Sequence, residues 1–131
     1  MPRTFTLGKN QRLKSRKLID QIFKEGRSFS VFPYRITYLL TSDSLPVEIK
    51  VQAGFGASRR NFKKAVDRNR IKRLTREAYR LQAPEFKGSL AGLNKTLSVF
   101  IIYVGKDLPE YDLVTQKIAV ILQKLKKDLR V

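Results

Sequence analysis

Neither histidine nor cysteine occurs anywhere in these 131 residues. That removes the commonest general base, the thiol nucleophile, disulfides and the usual zinc ligands. The acids are few and scattered; their closest groupings, Glu110 with Asp112 and Asp43 with Glu48, have loop-like spacing rather than that of a metal-binding carboxylate cluster. What the chain does concentrate is positive charge. Between Arg59 and Gln82, lysine or arginine stands at positions 59, 60, 63, 64, 68, 70, 72, 73, 76 and 80, against two acids, Asp67 and Glu77. The chemistry open to such a stretch is electrostatic: ammonium and guanidinium groups pairing with phosphate oxygens and releasing counterions.

The spacing says how these groups are presented. From Ala65 to Gln82 there is no glycine or proline, which permits an uninterrupted helix. Ile71, Leu74, Ala78 and Leu81 recur at steps of three and four, marking one apolar stripe. At about 100° per residue, Arg68, Asn69, Lys72, Arg73, Arg76 and Arg80 fall on an arc roughly opposite, with Arg70 near its edge. Like charges so crowded repel one another, and a polyanionic partner explains them better than solubility does. The plainer reading, a solvated basic face, is outweighed by the whole chain: 28 Lys+Arg against 11 Asp+Glu, a formal net charge of +17.

Charge alone is shared by several classes of protein. A ribosomal or DNA-binding structural protein would set this helix in a groove or against folded RNA. A membrane-surface helix would lay it on anionic lipid, but its apolar face lacks tryptophan and is needed for a core. A stand-alone phosphodiesterase would need carboxylates or histidines that the chain does not group. The order of residues narrows the choice. Lys64-Ala65-Val66-Asp67-Arg68-Asn69-Arg70-Ile71-Lys72-Arg73-Leu74-Thr75-Arg76-Glu77 resembles the signature of the bacterial ribonuclease P protein subunit, with its Arg-Asn-Arg motif. Gly56-Ala57-Ser58-Arg59-Arg60 resembles the strand end before that motif. Arg12-Leu13-Lys14 and Ile22-Phe23-Lys24-Glu25-Gly26 are similar to the family's first helix. The resemblance spans about residues 12–82 and is weak afterwards.

The elements that must position these residues follow in chain order. Residues 1–17 carry six basic side chains and no acid. Residues 1–11 read equally as a disordered tail or as a flexible basic arm that settles on phosphates. Ser15 can cap a first helix that ends at Gly26, with Leu18, Ile19, Ile22 and Phe23 as its stripe. Phe32–Thr41 reads as a strand, and 42–46 as a turn. Val47–Phe55 alternates as a half-buried strand, most simply antiparallel to the one before it. Tyr34, Arg35 and Tyr38 would line an exposed face beside Lys50, although core packing explains at least one of the tyrosines equally well. Residues 54–60 are turn-like, and their Gly-x-Gly lacks the spacing of a phosphate-cradling loop. Pro84 and residues 85–95 read as a loop, Thr96–Val104 as a strand buried on both faces, and Leu113–Leu129 as a final amphipathic helix.

The reading is a single-domain α+β sandwich in the order α-β-β-(β)-α-β-α, a mixed sheet packed by helices. The resemblance further implies a left-handed βαβ crossover at the basic helix, against the usual right-handed preference. It implies a protein subunit of ribonuclease P with no catalysis of its own, whose partners are the catalytic RNA and precursor tRNA. Magnesium would be held mainly by that RNA. Arg68, Asn69, Arg70, Lys72, Arg73 and Arg76, extended by Arg59, Arg60, Lys63 and Lys64, would face the catalytic RNA. Phe23, Ile19, Tyr34, Tyr38 and Lys50 would take the 5′ leader of precursor tRNA. Many relatives have a second phenylalanine where Ile19 stands, and Ile19 packs but does not stack. The first thirty residues lack the apolar core of a signal peptide, and Leu97–Val104 is too short to span a bilayer, so a cytoplasmic protein is expected.

Overall fold

The structure, a computed structural model, describes residues 16–42, 51–90 and 95–130. Ser15, the basic arm 1–11 and Lys50 lie outside the described residues. Helix α1 (Arg16–Glu25) leads into strands β1 (Arg27–Val31), β2 (Tyr34–Ser42) and β3 (Val51–Ala57). Helix α2 (Ala65–Ser89), strand β4 (Lys95–Tyr103) and helix α3 (Tyr111–Leu129) complete the order. The additional short strand is β1, whose Ser-Phe-Ser-Val alternation joins β2 through the turn at Phe32 and Pro33. Phe32 therefore begins no strand; it sits exposed in that turn.

The four strands form one sheet in the order β1-β2-β4-β3. β2 pairs antiparallel with β4 along its whole length, Tyr34 opposite Tyr103 through Ser42 opposite Lys95. β3 pairs with β4 in parallel, Val51 beside Leu97 through Ala57 beside Tyr103. The expectation that β2 and β3 form a hairpin is thus corrected: β4 lies between them. β4 has the longest β-branched and aromatic run in the chain, and placing it at the centre satisfies both of its hydrogen-bonding edges. The parallel pairing then obliges the intervening α2 to cross one face of the sheet.

Pleating sends alternate residues to opposite faces. Tyr34, Ile36, Tyr38, Val51, Ala53, Leu97, Val99, Ile101 and Tyr103 point to the face covered by α2 and α3, and all are buried. There they meet Ile71, Ala78, Tyr79 and Phe86 of α2 and Val114, Ile118, Ile121, Leu122 and Leu125 of α3. The buried side of α2 is rotated from the expected stripe. Thr75 and Tyr79 face inward while Leu81 is half-exposed, because Tyr79 packs its ring against Phe55, with centroids 5.5 Å apart. α1 packs on the opposite face, against β2 and β4. Its Ile22 is fully buried yet stands outside the main core cluster.

Two boundaries differ from the sequence reading. β3 continues through Gly54, Phe55 and Gly56 to Ala57, where a turn was expected. A Cβ on Gly56 would come within 3.1 Å of the Phe100 ring, so this glycine marks close packing inside a strand. α2 runs through Pro84 to Ser89, where a loop was expected. Pro84 cannot donate to the Arg80 carbonyl, but Ala83, Phe86 and Leu90 are buried at helical spacing on both sides of it, and their packing outweighs the missing bond. β4 is buried on both faces only in its first half: Leu97, Val99, Ile101 and Tyr103 are buried on one side, and on the α1 side Thr96 and Ser98 are buried while Phe100 and Ile102 are half-exposed.

Gly26 ends α1 where no side chain fits. A Cβ there would collide with the Ile22 carbonyl oxygen and lie 2.6 Å from the Tyr38 carbonyl oxygen, both rigid backbone atoms. Gly88, in the last turn of α2, has nothing within 4 Å of the same position. Gly26→Ala should therefore cost about 1–3 kcal/mol of stability. Gly88→Ala should raise it by about 0.5–1 kcal/mol. Denaturant melts of the two variants check both signs.

Candidate nucleic-acid interface

The basic segment begins as β3 ends. Ser58 N–H donates to the Tyr103 carbonyl at 3.0 Å, and Phe62 N–H to the Ser58 carbonyl at 3.0 Å. Asn61 Nδ2 donates to the carbonyls of Val104 and Gly105 at 2.9 and 3.2 Å. The loop of Arg59, Arg60, Lys63 and Lys64 is thereby tied to the end of β4, and all four side chains are exposed. α2 starts at Ala65 without a side-chain cap. Lysines 63 and 64 thus stand at the positive end of the helix macrodipole, where only Asp67 offsets them. Such a terminus favours an anion.

Along α2, Asn69, Arg70, Arg73 and Arg76 are exposed, and Lys72 is half-buried. They follow in the chain on the exposed Arg59, Arg60, Lys63 and Lys64, so the loop and the helix it leads into are basic throughout. Arg68 departs from the expected arc. It lies on the same side of the helix as Ile71 and Thr75, and its Nη1 donates to the carbonyls of Phe62 and Lys63, each at 2.8 Å. Its guanidinium braces the loop rather than extending the outward field. Arg80 is also engaged: its guanidinium donates to both carboxylate oxygens of Glu77, from Nε at 3.0 Å. Arg80's hydrogen bonds hold the Glu77 carboxyl below its ordinary range, slight burial opposing them.

The opposite face of the sheet is the second surface of interest. Ser28, Thr37, Phe100 and Gly54 form one row across the four strands, and Ser30, Arg35, Ile102 and Gly56 form the next. Phe23 of α1 leans over the first row, half-exposed, its ring edge-on to Phe100 with centroids 5.5 Å apart. Ile19 is half-buried on α1, and Arg35 is exposed on β2. The structure thus brings together an aromatic pair, an arginine, and a floor of small and hydroxyl side chains.

The tyrosines expected on that surface are elsewhere. Tyr34 is fully buried and Tyr38 nearly so, both on the α2/α3 face; the odd-numbered face of β2 carries Arg35, Thr37 and Leu39 instead. Tyr34 donates to Thr75 Oγ1 at 2.8 Å, and Thr75 in turn donates to the Ile71 carbonyl at 2.9 Å. Burial pushes the Tyr34 phenol up to about 12, its bond to Thr75 partly opposing the rise. Tyr38 reaches Asp128 of α3 at 3.4 Å. Phe100 is the residue that sequence reasoning missed, hidden in an apolar run. The signal available was Thr96 and Ser98, polar residues at the same parity, which mark that side of β4 as less apolar.

These features define a class: a small, strongly basic α+β protein with one cationic helix-and-loop surface and, across the sheet, an aromatic one. Comparison with known proteins identifies which member of that class it is. The family model described as Ribonuclease P matches residues 7–126, and the chain belongs to that family. A ribonuclease P protein component of Porphyromonas gingivalis is 34% identical over 110 residues, covering 84% of this chain and 79% of that one. One from Chlorobium phaeobacteroides is 30% identical over 131 residues, covering 92% and 88%. The fold matches the solved RNase P protein of Staphylococcus aureus with a TM-score of 0.68 at 19% identity, covering 88% of this chain and 95% of that one. Among the described residues, no helix is long and apolar enough to cross a membrane.

Tyr34 provides the test of the assignment of faces. Tyr34→Phe removes one buried hydrogen bond and should cost about 1 kcal/mol of stability. It should leave RNA affinity unchanged. A tyrosine whose folded pKa lies above its ordinary 10 stabilises the fold fully below that pH, and the stabilisation is lost as pH rises through the folded value. Stability should therefore fall as the pH climbs from about 10 toward 12. Ultraviolet titration of the native protein should show Tyr34 and Tyr79, whose burial also raises it, ionising above the ordinary phenol range.

Proposed function

We propose that this chain is the protein subunit of a ribonuclease P ribonucleoprotein, assisting the endonucleolytic removal of 5′ leaders from precursor tRNA. In this reading the loop Arg59–Lys64 and the outward face of α2 bind the catalytic RNA, and the Phe23/Phe100 face holds the leader strand. The observation that carries it is the joint exposure of Arg59, Arg60, Lys63, Lys64, Asn69, Arg70, Arg73 and Arg76 along one loop and the helix it leads into, in a chain of family membership and net charge +17. So dense a field of cations is matched by closely spaced phosphates, which release counterions on binding. Holding both RNAs on one scaffold also screens their mutual repulsion, which strengthens substrate binding.

The leader surface has the properties that a strand of varied sequence requires. Stacking on Phe23 or Phe100 uses the π-face common to every base. Ser28 and Ser30 are exposed and offer hydroxyls, Ser28 braced by the buried Thr37 at 3.0 Å, and Arg35 offers a charge for the backbone. In Phe100 the sheet supplies an aromatic that α1 lacks at Ile19. Among the described residues, there is no group of three or more acidic side chains that could hold a metal. In this proposal the magnesium ions that activate water and stabilise the leaving oxygen sit on the RNA, and the chain's own residues bind and orient.

Three results test it. Protein combined with a bacterial ribonuclease P RNA should restore precursor-tRNA cleavage at low magnesium, whereas protein alone should cleave none; vigorous cleavage by RNA-free protein would overturn the assignment. Arg73→Ala and Arg76→Ala should each flatten the log–log dependence of RNA affinity on salt by roughly one phosphate's worth. Slopes unchanged in both would mark those side chains as merely solvated. Phe23→Ala should weaken a long-leader substrate by about tenfold, as expected for a stacked base worth about 1–3 kcal/mol. Affinity for leaderless tRNA and for the catalytic RNA should stay as it was. Because Phe23 is half-exposed, its melting temperature should move little.

A further inference from the structure

One end of the sheet carries a feature that neither surface above uses. Phe32 is 74% exposed in the β1–β2 turn, an unusual position for a large aromatic unless something covers it. It shares a cleft of about 500 Å³ with Leu108, Leu113 and Tyr103, rimmed by Lys106, Asp107, Glu110 and Lys117. That volume lies within the range of clefts that hold small ligands. Leu108 and Leu113 are exposed as well, so apolar surface faces the opening from the β4–α3 loop and α3 as well as from the turn.

The cleft is built rather than incidental. Val104 N–H donates to the Pro33 carbonyl at 2.8 Å, fastening the Phe32 turn to the end of β4. Tyr103 Oη donates to the Asp107 carbonyl at 2.6 Å, fixing the loop that forms the far wall. Gly105 fits because it has no side chain: a Cβ would lie 2.7 Å from Tyr103 Oη and 3.0 Å from Pro33. The same segment receives both hydrogen bonds from Asn61, in the loop that presents Arg59, Arg60, Lys63 and Lys64. The cleft therefore adjoins the basic loop through Gly105, which lines it and whose carbonyl accepts from Asn61.

We propose that this cleft receives a single unstacked nucleobase of the RNA partner, its ring against Phe32 and its flanking phosphates toward the Arg59–Lys64 loop. The inference rests on the RNA-binding reading given above. Aromatic and aliphatic walls suit a flat ring, and unpaired RNA bases are commonly held by stacking with hydrogen bonds to their edges. Asp107 and Glu110 accept from base amino groups, as carboxylates do from cytosine, while Lys106 and Lys117 donate to ring nitrogens, carbonyls or phosphate. The net charge of +17 attracts a polyanion to this rim and disfavours a basic protein partner.

The test uses the full chain and its cognate ribonuclease P RNA, with binding measured across a salt series and base edges probed by chemical modification. Phe32→Ala should weaken binding by about tenfold, with the salt slope of the parent protein, since stacking releases no counterions. One base protected by the parent should become reactive. Leu108→Ala, on the facing wall, should expose the same base, and Phe32→Tyr should restore protection. Parental affinity and footprint in both Phe32→Ala and Leu108→Ala would overturn the inference, as would a protein partner whose binding those variants abolish without affecting RNA. Loss of affinity with a collapsed melting transition in Phe32→Ala would assign that residue to the fold, and Leu108→Ala would then decide. If the parent protein binds no RNA, the reading beneath the inference falls, a result distinct from all of these.

Discussion

Strand β4 is the constraint on which the molecule depends. Paired on both edges, antiparallel to β2 and parallel to β3, it leaves the chain no way from β3 to β4 except across a face of the sheet. α2 takes that path, and so a helix bearing many of the chain's cations is laid over the core with its far side in water. The alternation along β4 then divides labour. Leu97, Val99, Ile101 and Tyr103 hold α2 and α3, while Phe100 and Ile102 open toward α1. A single strand thus supports one surface by burying its odd residues and furnishes the other with its even ones.

The cost of concentrating charge is visible in how the fold handles it. α2 begins with lysines at the end of the macrodipole that repels them, and it has one carboxylate in its first turn. Two arginines are taken out of the field by local partners: Arg68 by the loop carbonyls and Arg80 by Glu77. Arg59, Arg60, Lys63, Lys64, Arg70, Arg73 and Arg76 face solvent, an arrangement that favours a ligand carrying many negative charges over one carrying few. The stability that offsets this repulsion comes from the packed side of the same helix, where Ile71, Ala78, Tyr79, Ala83 and Phe86 are buried.

Much of this is legible in the sequence. The helix over the basic segment and the final amphipathic helix follow from apolar spacing; family membership, and with it the placing of α1 away from the basic arc, follows from the resemblance around Arg68-Asn69-Arg70. What escaped has physical causes. Periodicity reports which residues share a face but not which face meets the core. The alternation of β2 therefore fits either assignment of Tyr34, and only the bond to Thr75, 41 residues away, decides it. Strand adjacency is set by long-range pairing, so the short β2–β3 connection suggested a hairpin that β4 interrupts. Pro84 is a local stop signal overruled by burial further along the helix. Arg68 is assigned outward by charge, yet its angular position beside Ile71 turns it back on the loop.

The Tyr34–Thr75 bond has a consequence for recognition. It lies in an otherwise apolar interior, joining the sheet to the underside of α2 between Arg73 and Arg76. Sliding the helix by one turn would leave the buried Tyr34 hydroxyl without its partner, since Thr75 keeps its bond to the Ile71 carbonyl, a penalty that apolar contacts alone do not impose. α2 is thereby indexed to the sheet like a key in a lock plate. The backbone positions from which its cations project are thereby set during folding, so a ligand at that face would order side chains but not the helix itself.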